Sequence, residues 1–168
     1  MRDKSHRIKL VLTYNVTLRE LNLSFNRIGN EGIRQLAVYI PHISKLQRLA
    51  LRPNPFDTFG AKYFLQAMTQ NQSLEYLDSW IGIEDAVVTA LRYWTHLNRG
   101  GRRILTAATT STSIAPGIWP LVLERATTIP YYSDRDAVVR PSVLYYLIQN
   151  GIHYLFPPTS YRNMILFR

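Results

Sequence analysis

The side chains able to do chemistry are few and scattered. Asp78, Glu84 and Asp85 are the densest group of carboxylates. Two carboxylates facing across a pocket can divide acid and base roles between them. These three instead fall where a strand ends and a helix begins. Acidic charge at a helix start is favoured by the helix dipole, which accounts for Glu84 and Asp85 without any reaction. The histidines His6, His42, His96 and His153 lie far apart and lack a metal-binding spacing such as HExxH. There is no glycine-rich phosphate loop. There is no cysteine, which excludes disulfides and thiolate ligands. The sequence therefore predicts no catalytic residue, no metal, no cofactor, no small-molecule substrate and no enzyme.

A second set of residues is suited to recognition instead. Glu20, Asn22 and Ser24 recur 28 residues later as Arg48, Ala50 and Arg52, and again as Tyr76, Asp78 and Trp80. Each triplet alternates with apolar residues, so it points away from a core on the other face of a strand. Tyr, Trp and Arg are the residue types that most often dominate binding energy. The plainer reading is a solvated, ion-paired sheet face, with Trp80 covered by the C-terminal segment. A further reading takes Arg48, Arg52, Tyr76 and Trp80 as a basic-aromatic strip for single-stranded nucleic acid. The formal charge of +9 allows that, although the cations are spread and not gathered in one run.

The elements that must hold this surface follow from spacing. In residues 17–40, Leu21 and Leu23 alternate as on a half-buried strand. Asn26 suits the turn after it, and Gly29 and Gly32 relax the backbone beyond that turn. Ile33, Leu36, Ala37 and Ile40 then fall on one face of a helix, which Pro41 stops. Adding 28 carries Leu18, Leu21, Leu23, Asn26 and Ile28 onto Leu46, Leu49, Leu51, Asn54 and Phe56. Gly32, Leu36 and Ile40 become Gly60, Phe64 and Met68 in the same way. A decayed third copy keeps Leu74 and Leu77, with Gly82 in place of the asparagine. Its helix, 84–98, carries Ala86, Val87, Ala90, Leu91, Trp94 and Leu97 as an apolar stripe. A fixed period in this range indicates a stacked repeat array.

LRELNLSFNRIGNEGIRQLA at 18–37 and LQRLALRPNPFDTFGAKYFL at 46–65 resemble the leucine-rich repeat family, in its long, ribonuclease-inhibitor-like form. That resemblance implies an α/β solenoid with parallel strands on a concave face and helices on the convex face. It also implies protein binding on the concave face, with no chemistry.

The chain then divides into repeats over 1–105, a linker over 106–117 and a helical region over 118–168. The repeats comprise a partial unit at 1–16 and units at 17–44, 45–72 and 73–100. Residues 5–14 fit the helix of an earlier repeat, because Ile8, Val11 and Leu12 hold the register of Leu36, Tyr39 and Ile40. Asn15 and Thr17 match Asn71 and Ser73. Either the chain starts inside a longer array, or a divergent helix caps it. Gly100-Gly101 signals the end of the third helix, where Arg99, Arg102 and Arg103 favour its last carbonyls or form a small anion-binding patch. TAATTSTSIAPG at 106–117 reads as a loop.

Beyond it, helices at 121–126 and 142–150 bring Trp119, Leu121, Leu123, Leu144 and Leu147 over the last repeat as an α-helical cap. LNRGGRRIL, IWPLVLERA and SVLYYLIQNG look like the C-terminal region of algal (diatom-type) leucine-rich repeat proteins, a likeness that implies no activity. The rival reading of these helices is a docking tail, like those that recruit ubiquitin-ligase subunits. No apolar run approaches the ~18 residues of a membrane span, and no secretory signal is present. Cytosol or nucleus is the expected location, with an unknown protein as partner.

Overall fold

The computed structural model describes residues 15, 17–78, 82–104, 119–127, 139 and 141–149. The proposed N-terminal helix at 5–14, Trp80, the loop at 106–117 and the tail after residue 150 lie outside the described residues. Three strand–helix units stand side by side. They are β1 (Glu20–Asn22) and α1 (Asn30–Tyr39), β2 (Arg48–Ala50) and α2 (Thr58–Met68), then β3 (Tyr76–Leu77) and α3 (Asp85–Gly100). The strands form one parallel sheet in the order β1-β2-β3. Glu20 pairs with Arg48 and Arg48 with Tyr76, so the 28-residue period of the sequence is the register of the sheet.

The core lies between this sheet and the helices. Leu46, Leu49 and Leu51 of the middle unit are buried with Phe64, Met68, Ile33, Ile40 and Leu74. Leu18, Leu21 and Leu23 are only half-buried, because among the described residues β1 is the end strand. Pro41 ends α1 as expected, in a 3-10 turn over Ile40–His42. In α3 the buried stripe is Val87, Val88, Leu91 and Leu97; Ala86, placed in that stripe from sequence, is exposed.

The glycines act by size more than by freedom. Gly29 sits at φ −85°, which any residue adopts, so relaxation of the backbone is not its role. At Gly60 an added Cβ would lie 2.5 Å from Asn30 Oδ1. That oxygen accepts the Asp57 N–H at 3.0 Å, so the absent side chain lets α2 approach α1. Two glycines take left-handed backbone, Gly82 at φ 77° and Gly101 at φ 108°, and the second ends its helix.

The asparagines fasten one unit to the next. Asn54 Nδ2 donates to the Leu23 carbonyl at 2.9 Å and to that of Leu51, while its Oδ1 accepts the Ile28 N–H at 3.0 Å. Asn71 Oδ1 accepts the N–H groups of Ser73 and Leu74 at 3.1 and 2.8 Å. Asn15 Oδ1 accepts those of Thr17 and Leu18 at 2.9 and 2.7 Å. The equivalence of residues 15 and 71 is thus one of hydrogen bonding as well as spelling.

After α3 come α4 (Trp119–Thr127) and a helical stretch at 139 and 141–149. Val122, Val139, Val143 and Leu147 form a second buried cluster with Leu97 of α3, flanked by Leu123 and Leu144. Leu121, assigned to this packing from sequence, is 57% exposed. Three apolar residues run consecutively at 121–123, and a helix can turn only part of such a run inward.

Candidate functional site

The outward face of the sheet carries a ladder of three side chains. Glu20, Arg48 and Tyr76 occupy the same position on successive strands. Arg48 Nε lies 3.7 Å from Glu20 Oε1. The Arg48 guanidinium also sits over the Tyr76 ring, 4.9 Å from its centroid, a cation–π distance. The ion pair is exposed and contributes little to stability. It orients an arginine between a carboxylate and an aromatic ring, on a backbone fixed by the ladder of the sheet.

The remaining predicted residues divide. Asn22 is exposed on β1, and its Oδ1 accepts the Ser24 N–H at 2.9 Å. Ser24 is half-buried just past the strand, and Arg52 is exposed past the end of β2. Asp78 is turned to another task. Its carboxylate accepts the Leu51 N–H at 3.0 and 3.1 Å and the Arg52 N–H at 2.7 Å. One unit earlier the equivalent N–H, that of Leu23, is taken by the backbone carbonyl of Ala50 at 2.8 Å. Strand β3 stops at Leu77, so the Asp78 side chain supplies the acceptor that a longer strand would have supplied.

Two residues carry roles that the sequence does not signal. Phe25 is 86% exposed at φ 58°, a left-handed conformation uncommon for a bulky residue. It lies in the turn that follows β1. Its position before the turn asparagine carries no signal that marks it. Arg102, which spacing assigns to the end of its own helix, instead donates to the carbonyls of Asn71 at 3.2 Å, Met68 at 3.4 Å and Thr69, closing the end of α2. Its guanidinium stacks on Trp94, 4.5 Å from the ring centroid, and burial lowers its pKa. The basic residues after α3 are visible in the sequence; which helix they serve is not.

Nothing in the described residues gathers reactive groups. Glu84 precedes α3 and lies 3.3 Å from Lys62, and Asp85 opens the helix. No group of His, Asp or Glu fit to hold a metal occurs among the described residues. No helix among them is long and apolar enough to cross a membrane.

Residues 14–37 match the family model described as Leucine Rich repeat, a stretch that holds β1 and most of α1. No curated protein and no solved structure matches the chain. The family match, joined to three parallel strand–helix units in 28-residue register, supports a leucine-rich repeat protein.

Proposed function

We propose that this chain is a non-catalytic protein-interaction module of the long, ribonuclease-inhibitor-like repeat type. It takes a protein partner on the exposed, concave face of its sheet. The Glu20–Arg48–Tyr76 ladder is the observation that carries the reading. Side chains already held by their neighbours lose little freedom when a partner arrives. Arg52, Asn22 and Ser24 extend the surface toward the strand ends, with Phe25 beside them and Trp80 as its expected continuation. Packing of Val122, Val143 and Leu147 on Leu97 supports a cap role for the C-terminal helices over a docking tail. A carboxylate within the ladder weighs against single-stranded nucleic acid on this face, since it repels phosphates. The absence of cysteine fits a reducing compartment such as the cytosol or nucleus.

The test pairs Arg52→Ala with Tyr76→Ala, both at exposed positions. Partners captured by the wild-type chain are expected to be lost, with the circular dichroism spectrum unchanged. Retained capture by this variant, with loss on changing Arg34 of α1, would move the interface to the helices and end the proposal.

A further inference from the structure

A groove of about 270 Å³ lies at the opposite, N-terminal end of the sheet. Arg19, Lys45, Arg103 and Arg125 line it, with Glu75 as the one carboxylate and Asn98 contributing amide atoms. Four cations to one anion exceeds the balance of the whole chain, where 20 cations face 11 acids. The one carboxylate is itself answered, with Arg125 Nη2 3.6 Å from Glu75 Oε1. Arg19 and Lys45 have no carboxylate partner among the described residues. We propose that this groove binds a phosphate monoester.

The groove is built into the repeat. Residues 19, 47 and 75 hold the same place just before successive strands. The Arg19 carbonyl accepts the N–H groups of Gln47 and Arg48 at 2.7 and 2.9 Å, and the Gln47 carbonyl accepts those of Glu75 and Tyr76 at 2.8 and 3.0 Å. One wall is thereby rigid. The opposite wall comes from the turn after α3, where Arg103 donates to the Ser44 carbonyl at 3.3 Å, and from α4 through Arg125. Cations from four separate chain segments converge there, which is more than the chance solvation of one helix face would give.

The chemistry fits a doubly charged, tetrahedral oxyanion. Arginine presents parallel N–H groups that match two phosphate oxygens at once. Asn98 Nδ2 is already engaged by the Leu74 carbonyl at 3.1 Å. Its Oδ1 is a buried acceptor without a hydrogen-bond partner among the described residues; a phosphate dianion has no proton to offer it, so the anion is held by the cations alone. The volume suits a phosphate head with a small attachment, below the range of ~300–1,000 Å³ typical of drug-sized ligands. The phosphate could be carried by a free metabolite or by a phosphorylated side chain; both present the same group to the groove. The second ionisation of a monoester lies near pH ~6, so affinity rises as pH passes upward through that value. This inference is independent of what the sheet face binds.

The test uses the full 168-residue chain in phosphate-free buffer, titrated calorimetrically with inorganic phosphate, phosphoethanolamine and a phosphoserine peptide. Chloride at matched ionic strength is the control. Saturable binding to one site is expected. It should weaken about tenfold or more in Arg19→Gln/Lys45→Gln and stay unchanged in Arg27→Gln, an exposed cation elsewhere. Binding of the peptide but not of the free phosphates assigns the source to a protein; the reverse assigns it to a metabolite. No saturable heat, or equal affinity in the double variant, would overturn the proposal. Should the double variant melt early, Lys45→Gln alone gives the same reading.

Discussion

The buried leucines of the middle repeat, Leu46, Leu49 and Leu51, have counterparts 28 residues earlier in Leu18, Leu21 and Leu23; the C-terminal helices do not continue that register. Leu49 repeats Leu21 and is repeated by Leu77, and the strands that carry them exchange backbone hydrogen bonds. Asn54 and Asn71 add side-chain bonds that cross from one unit to the next. The C-terminal helices meet the repeats through apolar packing on Leu97, Tyr93 and Trp94 and through the Arg125–Glu75 pair. Backbone bonds between units are directional and fix a register. Apolar contact is not directional and fixes no register, so the C-terminal helices are held in place without the same precision of alignment. The two regions should therefore open separately, since cooperative units track contiguous hydrogen bonding and packing.

The largest expected effect tests that separation. Phe64, fully buried in the repeat core, should cost about 3–5 kcal/mol when cut to Ala. Leu147→Ala, equally buried in the second cluster, should cost about 2–5 kcal/mol. The location of the damage is what discriminates. Hydrogen exchange is expected to show Phe64→Ala loosening amides of β1, β2 and α2 together. Leu147→Ala should loosen α4 and residues 141–149 while the sheet amides keep their protection. If both variants deprotect every element alike, the molecule is one cooperative unit and the contrast between the regions fails.

A smaller effect probes the inter-unit bonds themselves. Asn71 is buried and gives its Nδ2 to the Ile40 carbonyl at 2.7 Å while its Oδ1 takes two N–H groups. Truncation leaves those groups unpaired away from water, at roughly 1–3 kcal/mol each and not additively. Asn71→Ala should then lose about 2–4 kcal/mol. Asn15→Ala removes the same two local N–H bonds, but Asn15 is half-buried. Water replaces part of what is lost, and the expected cost is about 1 kcal/mol or less. Denaturant melts of the two variants measure the difference. Equal costs would mean that the local turn carries the energy and that the bond to the neighbouring unit adds nothing.

The same contrast explains how much was legible in the sequence. The sheet register can be read because Leu18, Leu21, Leu23 and Asn26 recur intact 28 residues later, and Leu18 and Leu21 recur again as Leu74 and Leu77, so one period aligns every strand. Asp78 departs from its expected place because parity puts it on the outward face, whereas its task depends on β3 ending one residue earlier. The length of a strand is set by its pairing partner and by the residues at its C-terminal end, and alternation records neither. Arg102 is recognisable as serving a helix end, but only the stacking of units brings the end of α2 to it. In α4 the helix itself is legible and its inward face is not. Leu121, Val122 and Leu123 offer three consecutive candidates, and Leu97 selects Val122. The groove around Arg19 and Lys45 draws its cations from four segments with no common spacing, so no motif could announce it.

The smallest effect belongs to a contact that stays within one helix. Arg34 and Gln35 bond the Glu31 carboxylate at distances down to 2.6 Å. The Arg34 bond first, then that from Gln35, lower its pKa from 4.5 to about 2. The folded value lies below the unfolded one, so the contact stabilises fully above pH 4.5 and is lost as pH falls from 4.5 toward 2. The group is solvent-exposed, so screening keeps the contribution small. Glu31→Gln should lower the melting temperature slightly at neutral pH and not at all near pH 2, with the gap shrinking in high salt. Both ends of the pair are exposed, and the ion pair spans a single turn of α1. Hydrogen exchange in Glu31→Gln should therefore change only in α1. Any loss of protection in α2 would mean that even a surface contact is felt across units, and that the repeats are more tightly coupled than their hydrogen bonds alone imply.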